Sequence, residues 1–295
     1  MSSGATTGRG GALVRLALGQ GPLKAASFIV TVYGDVVEPR GGVVWIGSLI
    51  ETCAAVGISE TLVRTAVSRL VAAGQLSGER EGRRSFYRLT APARAEFSAA
   101  ARLLFGPPEP ADWHFVHLTG SAPEEAMQAL ERAGHARLGP RLAVGCRPLP
   151  PSLTRGVVFR AGIVQGEDDL GAFAREHWAL EPHAAAYRGF LDRFGALTGE
   201  LEGGLRPDPA TCLAVRLLLV HQFRLVVLRD PRLPAAALPA DWPGAAARRL
   251  FCDLYLRLSP EADRHVARRF VTADGALPEA SEATLRRLAL LRETA

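Results

Sequence analysis

Between Ser48 and Leu89 the chain carries two short amphipathic segments that meet at Gly57, followed by an arginine-rich segment with a glycine at its centre. Few folds accept that order. Ser48, Leu49, Ile50 and Glu51 have the spacing of a capping box, with Ser48 as N-cap and Glu51 reaching back, so a helix is expected over Leu49–Ala55. Ser59 then caps a second helix, expected over Glu60–Ala73 and closed by Gly74. Leu76–Leu89 reads as two strands around a turn at Glu81 and Gly82.

Helix, glycine turn, helix and basic hairpin is the layout of a winged helix-turn-helix, which places its second helix in the DNA major groove. In that helix Leu62, Val63, Ala66, Val67, Leu70 and Val71 form an apolar stripe with steps of three and four. Thr61, Arg64, Thr65, Ser68 and Arg69 fall on the other side, with Ser59 at the start. Arginine can bond a guanine edge in two places, and serine and threonine bond bases or phosphates. Arg80, Arg83 and Arg84 cluster at the hairpin tip, where a wing that follows a phosphate backbone needs positive charge. From 59 to 90 six arginines (Arg64, Arg69, Arg80, Arg83, Arg84, Arg88) face three glutamates (Glu60, Glu79, Glu81), a balance of +3 against +5 for the whole chain. Periodicity alone would favour an ordinary solvated helix beside a charged turn; the complete order favours a nucleic-acid partner.

At 295 residues the chain is long for one domain. Lys24 is its only lysine, so phosphate contacts would be made mostly by guanidinium groups. Cys53, Cys146, Cys212 and Cys252 are far apart and form no paired spacing, which speaks against a zinc site and for buried thiols in a reducing cytoplasm. No metal, cofactor or catalytic signature is present. The most apolar stretch, Leu213–Leu228, is interrupted by Arg216, His221 and Arg224, which favours a buried helix of a soluble protein over a membrane span.

The fold expected is α+β in three parts after a disordered tail over 1–21. A winged helix covers 22–106 and ends in a Gly/Pro linker at 106–110. A middle domain covers 107–178, where strands at Trp113–Leu118, Leu138–Val144 and Gly156–Val164 and helices at Pro123–Ala133 and Asp168–Trp178 suggest a ferredoxin-like layer. A helical domain covers 179–295, with helices at Pro182–Leu197, Ala210–Leu228, Ala245–Leu258, Pro260–Phe270 and Ala280–Glu293.

Four blocks of the N-terminal part, Phe28–Asp35, Arg40–Leu49, Leu62–Val67 and Gly82–Thr90, resemble PaaX-type transcriptional regulators, repressors of phenylacetate degradation operons. Arg229–Pro234 and Leu238–Gly244 resemble the same family further on, so two distant regions agree in order. The resemblance implies a homodimeric repressor that binds double-stranded operator DNA and is released by an acyl-CoA, phenylacetyl-CoA in the family. One departure falls at Leu138–Cys146, which lacks the aromatic residues expected there. An acyl-CoA pocket would need arginines for phosphate and an apolar cleft for the acyl group. Arg160, Arg216, His221, Arg224 and Arg229 are the effector-binding candidates; as structural ion-pair partners they would carry no such role. Two rivals stand beside this reading. One is a metal-dependent nuclease built on the middle domain, against which His114 and His117 would point to opposite faces of one strand. The other is a winged helix that binds protein instead of DNA, which the arginine cluster opposes.

Overall fold

The computed structural model describes residues 3–19, 21, 23–108, 111–121 and 123–294. The protein is α+β. Its elements run α1 (Ser3–Leu18), α2 (Ala25–Val32), β1 (Val43–Trp45), α3 (Ile46–Ala54), α4 (Glu60–Ala72), β2 (Leu76–Glu81), β3 (Arg84–Leu89), α5 (Ala91–Phe105), β4 (Trp113–Leu118), α6 (Pro123–Arg132), β5 (Ala136–Arg137), β6 (Leu142–Gly145) and β7 (Gly156–Ala161). They continue as α7 (Leu170–His177), α8 (Leu180–Glu202), α9 (Pro209–Val227), α10 (Gly244–Arg269), β8 (Val271–Thr272), β9 (Gly275–Ala276) and α11 (Glu282–Arg292).

The chain forms two compact units: Met1–Pro107 with Gly189–Leu225 and Ala246–Ala295, and Pro108–Arg188 with Val226–Ala245. The expected division into consecutive domains at 22–106, 107–178 and 179–295 is not followed, because most of the late helical segment shares a core with the N-terminal segment. Periodicity shows which face of a helix is buried, not which distant segment covers it. Nor is 1–21 a tail: it holds α1, with Leu13 and Ala17 buried, while residues 1, 2 and 20 lie outside the described residues. Gly10 packs so near α9 that a Cβ there would stand 2.7 Å from the Thr211 hydroxyl.

The first unit is organised around a buried charge network. After α2 the helix widens into a π turn over Tyr33–Val37, and this turn aims Asp35 inward. Asp35 Oδ2 accepts from Arg216 Nε at 3.0 Å, and Oδ1 accepts from Tyr255 OH at 2.8 Å and Arg287 Nη1 at 3.1 Å. Asp263 Oδ1 accepts from Arg40 Nη2 and Arg216 Nη1, both at 2.7 Å. Burial opposes the charge on Arg216, yet Asp35, Tyr255 and Asp263 raise its pKa above the ordinary arginine value. The network ties the turns that follow α2 to α9, α10 and α11. It explains how α9, long and apolar enough by length and composition to cross a bilayer, serves as a core helix: 61% of that apolar window is buried inside the protein.

Among the helix boundaries that differ from the sequence reading, two bear on the packing. α3 starts three residues before Leu49, with Trp45 as N-cap, so Ser48 lies inside the helix and makes no capping box. Its hydroxyl donates to the Arg269 carbonyl (3.1 Å) and accepts from the Val271 amide (3.2 Å), and Glu51 pairs with Arg269. Pro260, expected to separate two helices, lies within α10. The buried Ser259 hydroxyl next to it donates to the Tyr255 carbonyl at 2.7 Å.

In the second unit the sheet order is β5-β6-β4-β7, antiparallel throughout. One face packs Val116, Leu118 and Ala143 on Met127 and Leu130 of α6. The other packs Trp113 and Val144 on Ala174 of α7 and Trp178. The elements follow β-α-β-β-β-α, with α7 after β7. A ferredoxin-like layer places its second helix before the last strand (β-α-β-β-α-β). Here the Pro-rich stretch 146–155 occupies that place.

Candidate nucleic-acid interface

Ser59 caps α4 as expected, its hydroxyl accepting from the Leu62 amide at 3.4 Å. The far end closes on Gly74 (φ 68°), with Gly74 N–H donating to Val71 and Gln75 N–H to Leu70, the double bond of a Schellman motif. Thr90 then donates its hydroxyl to the Gly74 carbonyl (2.7 Å) and caps α5, so the exits of α4 and the hairpin are joined. β2 and β3 pair from Leu76–Leu89 to Glu81–Arg84, and β1 adds to β3 as the third strand. The two-residue loop is therefore Gly82 and Arg83, one residue beyond the expected turn, with Gly82 at φ 58° in the first loop position, where primed hairpin turns require it.

Val63, Ala66, Val67 and Leu70 bury the inner face of α4. Leu62 and Val71, expected in the same stripe, are 55% and 39% exposed. They sit at the stripe's two edges, beyond the width that the neighbouring elements cover. Thr61, Arg64, Thr65, Ser68 and Arg69 are exposed, as is Ser59. Arg64 pairs with Glu60 one turn back at 2.8 Å, both side chains more than half exposed. The Thr65 hydroxyl donates to the Thr61 carbonyl, leaving its lone pairs outward.

The three expected tip arginines do three different things. Arg83 is in the loop and exposed. Arg80 folds toward the tip, Nε donating to the Gly82 carbonyl at 3.2 Å. Arg84 lies over the Trp45 ring, 5.1 Å from its centroid, which fixes its guanidinium on the flank of the sheet. Arg64, Ser68 and Val71 of α4 and Gly78, Glu79 and Arg80 of β2 line one groove of about 410 Å³, with Ile46, Ser85 and Tyr87. Helix face and hairpin thus form one continuous surface. Tyr87 and Gly78 were not foreseen: a Cβ at Gly78 would stand 2.7 Å from the Tyr87 ring, so the glycine makes room for it.

The five effector candidates are divided between the two units. Arg216, His221 and Arg224 belong to the first unit, Arg160 and Arg229 to the second. Arg216 is the centre of the charge network, His221 Nδ1 meets Thr31 Oγ1 at 2.9 Å, and Arg224 Nη2 donates to Ser27. All three meet partners within the first unit. Arg160 is exposed on β7 and pairs with Asp112; Arg229 is exposed just after α9. Among the described residues no group of three His, Cys, Asp or Glu side chains could hold a metal ion. The second unit holds an apolar cleft of about 630 Å³, walled by Trp113, Phe115, Leu170 and Phe173.

Comparison with known proteins follows this geometry. Residues 24–93 match the PaaX-like protein family, and residues 178–268 match the PaaX-like protein C-terminal domain. The chain is 32% identical over 278 residues to the transcriptional repressor PaaX of Escherichia coli K12, an alignment that spans 87% of each chain. A solved structure, the uncharacterized protein Rv0674 of Mycobacterium tuberculosis, shares the fold at 23% identity with a TM-score of 0.50, over 82% of this chain and 99% of that one. Two separate matches, and one relative that runs through both, lead to one conclusion: this chain belongs to the PaaX family.

Proposed function

We propose that the protein is a DNA-binding transcriptional repressor of the cytoplasm, and that α3, α4, β2 and β3 act as a winged helix-turn-helix. The observation that carries this reading is the single groove shared by Arg64 and Ser68 of α4 and Arg80 of the hairpin, on the outward face of a helix whose inner face is buried. In it α4 lies in the major groove with Thr61, Arg64, Thr65, Ser68 and Arg69 toward base edges and Ser59 toward a phosphate at the helix start. Arg80, Arg83 and Arg84 follow the backbone. The Arg64–Glu60 pair is no obstacle: exposed pairs of this spacing hold by roughly 0.3–0.5 kcal/mol, less than a bidentate base contact of about 1–3 kcal/mol.

Two copies present two such helices to half-sites about one DNA turn apart, and a ligand that prefers the wrong spacing lowers DNA affinity. A coupling of about 1–3 kcal/mol gives roughly 5- to 150-fold release. The family resemblance points to an acyl-CoA such as phenylacetyl-CoA, from a phenylacetate-like catabolic operon. The cleft of Trp113, Phe115 and Phe173 has the apolar walls an acyl group needs. Catalysis forms no part of this reading.

The test is DNA binding by the purified chain to the segments flanking its own gene. Arg64→Ala is expected to lower affinity for the specific site by about 10- to 100-fold and to relax base preference. An equal loss on random DNA would make Arg64 a phosphate contact. Unaltered binding to both would remove α4 from the interface. Release is tested by adding phenylacetyl-CoA and other acyl-CoA thioesters to the complex.

A further inference from the structure

α4 carries one acidic side chain, Glu60, at its first position, on the same helix as Thr61, Arg64, Thr65, Ser68 and Arg69. Glu60 Oε1 accepts from Arg64 Nε and from Arg64 Nη2, both at 2.8 Å. The carboxylate therefore holds one edge of the guanidinium, the edge formed by Nε and Nη2. The Nη1–Nη2 end is left to a further partner, and it carries two parallel N–H groups. Guanine O6 and N7 accept such a pair in the major groove. Both side chains are more than half exposed, so a duplex can reach the pair as it stands.

A second carboxylate, Glu79 of β2, lines the groove that Arg64 shares with the hairpin. Arg88 of β3 pairs with it at 2.7 Å. Each carboxylate thus has its own arginine, and Arg64 stays with its helix instead of crossing the groove. In water an exposed pair of this spacing is weak. Under a duplex the groove loses water, and a two-point, charge-assisted contact strengthens in the lower dielectric. A guanidinium held along one edge has less side-chain freedom left to lose when it meets a base. The charge of Glu60 also repels phosphates, which disfavours poses in which Arg64 grips the backbone of any sequence.

We propose that Glu60 is a positioning residue: it holds Arg64 along the Nε–Nη2 edge and turns the Nη1–Nη2 end onto O6 and N7 of one guanine. This deepens, and rests on, the placement of α4 in the major groove. It narrows the partner to a duplex with guanine where the N-terminal half of α4 meets the bases. The pair does not have to break for Arg64 to read a base, because the two contacts use different sides of one guanidinium. An acid in the first turn of a helix also interacts favourably with the helix N-terminus. That role acts on helix stability and cannot distinguish one base pair from another, so base preference separates the two.

Selection of duplexes from a randomised pool tests this, using the full native chain, R64A, E60A and E60Q, with thermal unfolding by circular dichroism to confirm that each is folded. The native chain is expected to select a guanine that R64A no longer requires. Replacing that guanine by 7-deazaguanine, which lacks the N7 acceptor, should weaken the native chain by roughly 2- to 12-fold, half of a bidentate contact, and leave R64A unaffected. E60A should lose roughly 2- to 12-fold of the preference at that same guanine while binding random duplex at least as tightly as the native chain. E60Q, whose side-chain carbonyl still accepts from both donors, should keep the preference. An E60A chain that selects the guanine as strongly as the native one would overturn the positioning role and leave α4 in the groove. So would an E60Q chain as impaired as E60A, or equal losses on selected and random duplex in E60A. An R64A chain that still requires the guanine would overturn both this proposal and the base contact of Arg64. A native chain that selects no sequence would overturn the proposed function itself.

Discussion

Asp35→Asn isolates what the buried charge network contributes. The native network sets three guanidinium groups, Arg40, Arg216 and Arg287, against two carboxylates, Asp35 and Asp263, so it carries one positive charge in excess. The amide keeps the shape of Asp35 but removes its charge, and the excess doubles. It also sets an NH₂ group against donors, since one carboxylate oxygen receives Arg216 Nε and the other receives Tyr255 OH and Arg287 Nη1. Asp35 and Arg216 are almost fully shielded from water, so the loss is that of a broken buried ion pair, about 3–5 kcal/mol. With a urea slope of about 2–3 kcal/mol/M, the unfolding midpoint of the first unit should fall by roughly 1–2 M at unchanged slope. Asp263→Asn, whose side chain keeps 13% exposure, should cost less. The two should combine non-additively because both act through Arg216. A loss under about 1 kcal/mol for Asp35→Asn in urea titrations followed by circular dichroism would refute this reasoning.

Stability should also fall in mild acid. Burial, then the charge of Arg224, lowers the His221 pKa to about 4; burial, then His114 and Arg147, does the same for His135. Both stay neutral in the folded chain while the unfolded chain takes up protons near pH 6.5, so stability is complete above that pH and declines from there to about 4. Each histidine accounts for up to about 3 kcal/mol, and His221→Gln should flatten the pH dependence measured by urea titration. Ser48→Ala should cost about 1–2 kcal/mol by orphaning the Val271 amide, whereas Glu51→Gln should cost well under 1 kcal/mol because its pairing with Arg269 is exposed; the reverse order in thermal melts would restore the capping box. Phe173→Ala should weaken release of DNA by an acyl-CoA while leaving DNA affinity unchanged, as read by fluorescence anisotropy.

The sequence reached the candidate site because its signals are local. Caps at Ser59 and Gly74, a glycine in the hairpin loop and steps of three and four in α4 all act within a few residues. It failed where a distant partner decides. Ser48 carries every mark of an N-cap, but the Arg269 carbonyl and Val271 amide, over two hundred positions away, hold its hydroxyl. Arg216 and Arg224 looked like ligand arginines because Asp35 and Ser27 are far away in sequence. Leu62 and Val71 show a related limit: periodicity gives the centre of a buried stripe, but its width depends on the surface packed against it. The placing of α7 after β7 is already implicit in the order of hydrophobic segments between 113 and 178.

The salt dependence of DNA affinity tests most directly whether hairpin and helix grip one duplex. In the native chain the logarithm of affinity should fall linearly with that of salt concentration. R83A/R84A should reduce that slope by about 0.9 for each phosphate no longer neutralised, while base preference, set by α4, stays as it was. An unchanged slope in the folded double variant would contradict the placement of the hairpin on the phosphate backbone and, with it, the shared surface on which the proposed function rests.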